Sequence, residues 1–334
     1  MTPQDVITTS PKPADPTEPE LVHHPLALSR RSRIKLWLMR WLMRPLIGRL
    51  FRASLPRLYK AQLQVSSMKC GDTVGLPVEY RLVGRSPGHV VGSLSASAPV
   101  VLWLHGGGFV MPAAPAQHLP MVARLSRELG GAGFLPDYRL APQNPFPAAL
   151  DDCELAYISL LDLGVPGERI VLGGDSAGGN LVFGLLQRIR RAGLPMPACA
   201  IPVSPVTEMG RGHTPPSRYR LSRRDPLLPI KSMAGLLQLY IQDRDTADPE
   251  ISPLYMNCEG LPPLYFIASS NEILMDDSVL LAKRTAEAGV PTRCHIWPYL
   301  PHAFPLFASM FPEARAACDA MAVFARAQLD AASA

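Results

Sequence analysis

From residue 98 onward, short apolar runs alternate with longer segments whose apolar positions recur at helical spacing. Pro99 to Leu104, Gly133 to Tyr138, Arg169 to Leu172 and Ala198 to Val203 are the short runs, and each reads as a strand. Between them, residues 115–130, Pro147 to about Leu163 and Ser176 to about Ala192 read as helices. The rhythm resumes with a strand at Leu264 to Ala268, a helix at Asp276 to Gly289, a strand at Thr292 to Trp297 and a last helix from Pro312 to about Leu329. Upstream, Val78 to Val83 is a short β-like run among turns, which suggests an antiparallel start to the sheet. Such alternation predicts an α/β fold with a mostly parallel, eight-stranded sheet and helices on both faces.

Two stretches break the rhythm. Residues 205–250 hold Pro215-Pro216, a basic patch at Arg218, Arg220, Arg223 and Arg224, and a helix from Pro229 to about Gln242. An insertion beyond the C-terminal end of a strand sits above the place where open α/β sheets bind ligands. Residues 29–60 mix arginines with Leu, Trp, Met and Phe, and Pro45 and Pro56 divide them into two helices of about 12–16 residues. Residues 21–71 carry eleven Lys or Arg and no acidic residue. This segment fits a helical lid packed over the active site, or a basic amphipathic helix on an anionic membrane surface; the two are compatible. It has no uncharged run near the ~20 residues that a membrane span needs. Residues 1–28 read as a disordered or draped tail, since the first 20 include five prolines and four acidic residues. They do not form a secretory signal, which places the chain in the cytoplasm, with a peripheral membrane location left open by the basic helices.

At 334 residues the chain can bury a large core, and its hydrophobic fraction of 47% is ordinary. Its 36 prolines are more than double the usual share of about 5%. The six cysteines, Cys70, Cys153, Cys199, Cys258, Cys294 and Cys318, are widely spaced and form no Cys-x-x-Cys or Cys/His cluster. That spacing suggests neither a disulfide framework nor a metal site, and no cofactor motif accompanies it. Net charge is +5, but nothing beyond the basic patch points to nucleic acid.

The candidate chemistry lies at residues 168–180. A strand ending at Leu172 runs into Gly173-Gly174-Asp175-Ser176-Ala177-Gly178-Gly179-Asn180 and then an apolar helix. Strand, Gly-x-Ser-x-Gly and helix together form the context of a nucleophile elbow. Gly174 and Gly178 fit a turn so tight that a Cβ would clash, and Ser176 would then stand exposed at a helix N-terminus, where negative charge is favoured. A second glycine run, His105-Gly106-Gly107-Gly108, ends the strand at Leu104. Bare backbone N–H groups there could donate to an oxyanion. His105 fits a brace for that loop better than a base.

A serine needs a base, and in this fold the order along the chain is nucleophile, acid, histidine. Only His213, His295 and His302 follow Ser176. His213 falls in the irregular insertion and His295 in a strand, whereas His302 sits in a loop after the last strand. The acid is expected just after the preceding strand, where Glu272, Asp276 and Asp277 lie. Glu272 is nearest the strand end; Asp276 and Asp277 suit the first turn of a helix. Arg139 and Asp151 read as structural, as an ion pair with each other.

In these motifs the chain resembles the hormone-sensitive-lipase-like (family IV) α/β-hydrolase esterases. His105 to Gly108, Tyr138-Arg-Leu-Ala-Pro142 through Leu150, Gly174 to Asn180 and Pro301-His302-Ala-Phe304 match that family in order. The resemblance covers about residues 70–330. It implies an α/β-hydrolase domain at 69–334 with a lid insertion at about 205–250, and an N-terminal helical lid segment at 29–68. It implies Ser176 as nucleophile, His302 as base, and the N–H groups of Gly106, Gly107 and Ala177 as oxyanion hole. The family's Asp-Pro-Leu-x-Asp is here Glu272-Ile-Leu-Met-Asp276, which favours Glu272 as acid, with one more methylene of reach. The expected activity is hydrolysis of carboxylic esters with short to medium acyl chains, without metal or organic cofactor. A lipase, amidase or N-deacetylase on the same triad is the alternative, as is a non-catalytic small-molecule binder. A small ester is the expected partner; a homodimer is left open.

Overall fold

The computed structural model of the protein describes residues 17–25, 28–210 and 215–332, so that His213 and the first sixteen residues lie outside it. In chain order its strands are β1 (Glu20–His23), β2 (Val78–Val83), β3 (Ser86–Val91), β4 (Val100–Leu104), β5 (Ala132–Pro136), β6 (Ile170–Asp175), β7 (Cys199–Val203), β8 (Leu264–Ser269) and β9 (Thr292–Trp297). The helices are α1 (Arg30–Leu38), α2 (Arg44–Leu50), α3 (Leu55–Ser66), α4 (Pro115–Leu129), α5 (Ala148–Asp162), α6 (Ala177–Arg191), α7 (Ser217–Arg220), α8 (Ile230–Ile241), α9 (Met275–Glu287) and α10 (Pro312–Ala332).

The strands form one sheet in the order β1-β9-β8-β7-β6-β4-β5-β3-β2. Neighbours pair in parallel except at β3, which runs antiparallel to both β2 and β5. The central strands are buried on both faces, and their side chains alternate between two apolar layers. Val100, Leu102 and Leu104 of β4 pack with α5 and α6, whereas Val101 and Trp103 pack with α4 and α10. Strand β8 repeats this, with Leu264, Phe266 and Ala268 on one side and Tyr265 and Ile267 on the other.

The sheet has nine strands where eight were expected, and residues 1–28 are not all tail. Strand β1 pairs in parallel with β9 over Glu20 to His23, and Glu20 bonds Arg293 at 2.7 Å. His24 stacks on Trp297 with ring centroids 3.9 Å apart. Four residues among prolines and acids carry too little apolar pattern to signal a strand; pairing with β9 supplies what composition lacks. Strand β3 was likewise hidden, by Pro87 and Gly88. Gly88 is required by proximity, because a Cβ there would meet the Leu135 carbonyl oxygen at 2.5 Å.

Pro45 does not divide the N-terminal helix. Helical backbone continues from Arg30 to Leu50 through a wider π-turn at Met39–Met43, where the Arg44 N–H reaches back to the Met39 carbonyl. Pro45 has no N–H to give, and the extra residue in the turn relieves its ring from the preceding carbonyls. Pro56, in contrast, does open a new helix after Ser54. Arg139 pairs with Asp152 at 2.8 Å, not with Asp151, which instead meets Arg188 at 2.7 Å.

Candidate active site

Parallel strands in register bring several loops to one edge of the sheet. Leu104 of β4 lies opposite Gly174 of β6, so the glycine run after β4 meets the turn after β6. Ser269 of β8 pairs with Trp297 of β9, so the loops holding Glu272 and His302 start side by side. The carboxyl ends of parallel strands are the usual ligand site of such sheets.

Ser176 sits at φ 56°, ψ −117°, a conformation that non-glycine residues avoid. Its N–H bonds the Val203 carbonyl at 2.8 Å, which holds the strained turn against β7. A Cβ on Gly174 would meet the Gly178 carbonyl oxygen at 2.5 Å, and one on Gly178 would collide with the Leu104 carbonyl. Both glycines are therefore required by backbone proximity.

His302 is buried, and its Nδ1 lies 2.6 Å from Glu272 Oε2. The other oxygen of Glu272 accepts from Ser269 N at 2.7 Å and Ser204 Oγ at 2.8 Å. The Ser204 hydroxyl in turn accepts from Ala303 N, beside the histidine. Glu272 is thus locked on three sides. Burial pushes the His302 imidazole down, but the hydrogen bond and charge of Glu272 outweigh it, with help from Asp225 and Asp175, and the net shift is upward. The far nitrogen of His302, Nε2, is buried and has no hydrogen-bond partner among the described residues. Asp276 and Asp277 face elsewhere: Asp276 accepts from Ser217 N and pairs with Arg220, and Asp277 pairs with buried Arg218 at 2.5 Å. His295 bonds Tyr265 at 2.7 Å, and burial pushes its pKa down to about 4.

His105 braces the glycine loop. Its ring stacks on Tyr138 with centroids 4.1 Å apart, its Nδ1 meets the Gly106 carbonyl at 2.7 Å, and burial pushes its pKa down to about 3. Gly106 departs from the expectation for an oxyanion donor, because its N–H donates to Asp175 Oδ2 at 3.1 Å. No described residue accepts from the N–H groups of Gly107, Gly108 or Ala177, and Gly107 and Gly108 both line the cavity beside Ser176. Gly108, not among the expected donors, is thus left with a free N–H beside Ser176, whereas the first glycine of the run lies closest to the strand and to the elbow.

Asp175 was also missed as a functional part, although it lies inside the elbow motif. Its buried carboxylate accepts from Trp103 Nε1 at 2.9 Å as well as from Gly106. His118 Nε2 lies 3.3 Å from Oδ1, the oxygen that accepts from Trp103, an ion-pair separation without hydrogen-bond geometry. Burial alone would raise the Asp175 carboxyl, but His118 and Trp103 more than reverse this and it stays below the usual carboxylate range. One carboxylate therefore ties the elbow to the glycine loop. Asp225, from the 205–250 insertion, accepts from Leu227 N, Leu228 N and Ile273 N, which binds the insertion to the Glu272 loop. Ser204 and Asp225 carry no motif and were invisible in the sequence.

Ser176, Gly107, Gly108 and His302 open into one cavity of about 340 Å³. Its wall is apolar: Met39, Ile47 and Phe51 come from the N-terminal helix, and Leu228, Met233 and Leu236 from the insertion. The two segments are joined by Arg44, whose guanidinium donates to the Ser222 carbonyl at 2.5 Å. No group of acidic, His or Cys side chains among the described residues could hold a metal ion.

Comparison with known proteins agrees with this geometry. Residues 101–306 match the model of a family described by its alpha/beta hydrolase fold. An acetyl-hydrolase of Streptomyces hygroscopicus is 32% identical over 253 residues, covering 75% of this chain and 83% of that protein. The esterase LipU of Mycobacterium tuberculosis is 36% identical over 220 residues, covering 64% of this chain and 73% of its own. Among solved structures, an esterase from the bacterial hormone-sensitive lipase family superposes with a TM-score of 0.77 at 30% identity, over 91% of this chain and 100% of its own.

Proposed function

The chain belongs to the α/β-hydrolase fold family, among its hormone-sensitive-lipase-like esterases, and from that premise we propose how it hydrolyses carboxylic esters. Ser176 is the nucleophile, His302 its base and Glu272 the acid that orients the imidazole. One observation carries this reading: Glu272 fixes Nδ1 of His302, while Nε2 is left without a partner in the cavity that Ser176 also lines.

His302 Nε2 takes the hydroxyl proton as Ser176 Oγ attacks the ester carbonyl carbon. Glu272 accepts from the opposite ring nitrogen, fixes the tautomer and stabilises the imidazolium. The carbonyl oxygen becomes an anion, and the N–H groups of Gly107, Gly108 and Ala177 receive it. Removing one such donor typically costs ~100- to 1000-fold in rate. The imidazolium returns its proton to the departing alcohol. Water, deprotonated by the same nitrogen, then releases the acid from the acyl-enzyme. The apolar wall favours an apolar acyl group, while the glycine loop and the elbow provide the polar corner.

Two segments act as a lid in this reading, the N-terminal helices and the insertion, since together they roof the reacting groups with Met and Leu side chains. Hydrolysis of a nitrophenyl acyl ester series by the native protein and by Ser176→Ala tests the proposal. Turnover that vanishes with the hydroxyl is expected, and an optimum in chain length would measure the cavity. Turnover indifferent to Ser176 would reject it. Matched amides in the same assay separate an esterase from an amidase or N-deacetylase.

A further inference from the structure

A helix with apolar residues on every side is normally buried. The helical stretch from Arg30 to Leu50 is not. Its inner row, including Leu36, Met39, Ile47 and Leu50, packs on the core or the cavity. Its outer row is just as apolar, yet it stands in solvent: Trp37 is 59% exposed, Trp41 61%, Leu42 65% and Leu46 56%. Exposed large apolar groups placed contiguously mark an interaction surface.

We propose that this outer row docks on an anionic lipid bilayer. Three observations select that occupant. The row is rimmed by exposed Arg30, Arg31, Arg33, Arg40, Arg49 and Arg52, and no acidic residue occurs from 21 to 71. The exposed charges of this segment are of one sign, and cationic groups around an apolar stripe are the signature of an interfacial helix. The two aromatic groups of the row, Trp37 and Trp41, lie together with ring centroids 6.4 Å apart, and tryptophan favours the boundary between headgroup and acyl chain. A second copy of this chain fits poorly, because a two-fold contact through this face would set guanidinium against guanidinium.

Docking here also bears on catalysis, a consequence that rests on the esterase reading; the docking itself does not. Met43 is exposed on this helix and also lines the catalytic cavity. The lipid-facing row and the acyl pocket thus meet at one residue, so an ester dissolved in the bilayer would reach Ser176 along a short apolar route. No helix of the described residues is long and apolar enough to cross the membrane, so the attachment is to the surface.

The test is flotation of the full-length protein with phosphatidylcholine vesicles, with and without phosphatidylglycerol. The expected result is binding to the anionic vesicles at low salt, weak binding to neutral ones, and release as salt rises. Trp41→Ser with Leu42→Ser should weaken partitioning at least ~10-fold. It should leave hydrolysis of a monomeric short-chain nitrophenyl ester within about twofold. Arg30→Gln, Arg31→Gln and Arg33→Gln should each weaken binding to anionic vesicles about fivefold. Ser176→Ala should bind like the native protein, so ester turnover that survives this change would fault the esterase reading and spare this one. Absence of native binding to anionic vesicles at low salt overturns the proposal, as does binding indifferent to the Trp41/Leu42 change. A dimer in gel filtration that the Trp41/Leu42 change dissociates would assign the face to a second copy instead.

Discussion

The strand ends around Ser176 and the outer face of residues 30–50 lie near the same cavity but are built on opposite terms. At the strand ends the carboxylates of Asp175, Asp225 and Glu272 are buried and each accepts at least two hydrogen bonds. Gly174 and Gly178 there are set by backbone contacts that admit no Cβ. Along the helix, large apolar groups face water and the arginines beside them are exposed. The first region is determined by the fold itself, so a change there damages the molecule. The second is under-determined by the fold, so a change there leaves the molecule intact and alters only what it meets. Each prediction below presses on one side of that contrast.

The largest effect belongs to Ser176→Ala, which should reduce kcat on a nitrophenyl ester by on the order of a million-fold while the protein remains folded by circular dichroism. A residual rate within tenfold of the native enzyme would mean that the strained turn serves something other than nucleophilic attack. Next comes the acid. Glu272→Gln should lower kcat on the order of 10,000-fold, since an amide in that position no longer enforces the productive tautomer of His302. Asp276→Asn, whose carboxylate holds Ser217 and Arg220, should change kcat less than tenfold. Reversal of that order would move the acid to Asp276.

Gly178→Ala tests the backbone rather than the chemistry. Its Cβ would collide with the Leu104 carbonyl, so stability should fall by about 3 kcal/mol or more, read as a shift of the urea midpoint. A smaller, electrostatic effect concerns pH. The unprotonated imidazole is the base, and Glu272 stabilises the protonated form, so the free-enzyme kcat/KM should rise with pH through a midpoint above the ordinary histidine value of about 6.5. Removing the carboxylate in Glu272→Gln leaves burial opposed only by the more distant Asp225 and Asp175 and should move the residual profile to lower pH. A midpoint unmoved by that change would show that Glu272 does not set the titration.

How much of this was legible from the sequence follows the same divide. The elbow, the glycine run, Glu272 and His302 were readable because tight turns and strand ends restrict residue type locally: only glycine fits at 174 and 178, and loops after strands converge at one edge. The parts that were missed depend on partners far along the chain. Ser204 and Asp225 act through residues 68 and 48 positions away, and no local pattern announces either. Gly106 was assigned to the oxyanion because the sequence does not reveal that Asp175 has already claimed its N–H. Strand β1 exists because β9 offers it an edge, and the π-turn at Met39–Met43 exists because a proline follows within a helix that packing keeps continuous. Both are tertiary outcomes that override weak local signals.

The smallest effect is the most discriminating for the contrast between the two regions. Leu42→Ser removes an apolar side chain that is 65% exposed, so folding loses little burial and stability should change by no more than about 0.5 kcal/mol. Leu36→Ala, six residues earlier on the same helix, removes a side chain that is 9% exposed and should cost about 2–3 kcal/mol through lost burial and the cavity left behind. Paired urea titrations of the two variants read the difference directly. If Leu42→Ser were as damaging as Leu36→Ala, the outer row would already be covered within the molecule or by a second copy, and the surface could not be one that the fold leaves open for a bilayer. Near-equality of Leu42→Ser with the native protein, together with the full loss at Leu36, would show that the helix is held by one face only and that its other face is retained for something outside the fold.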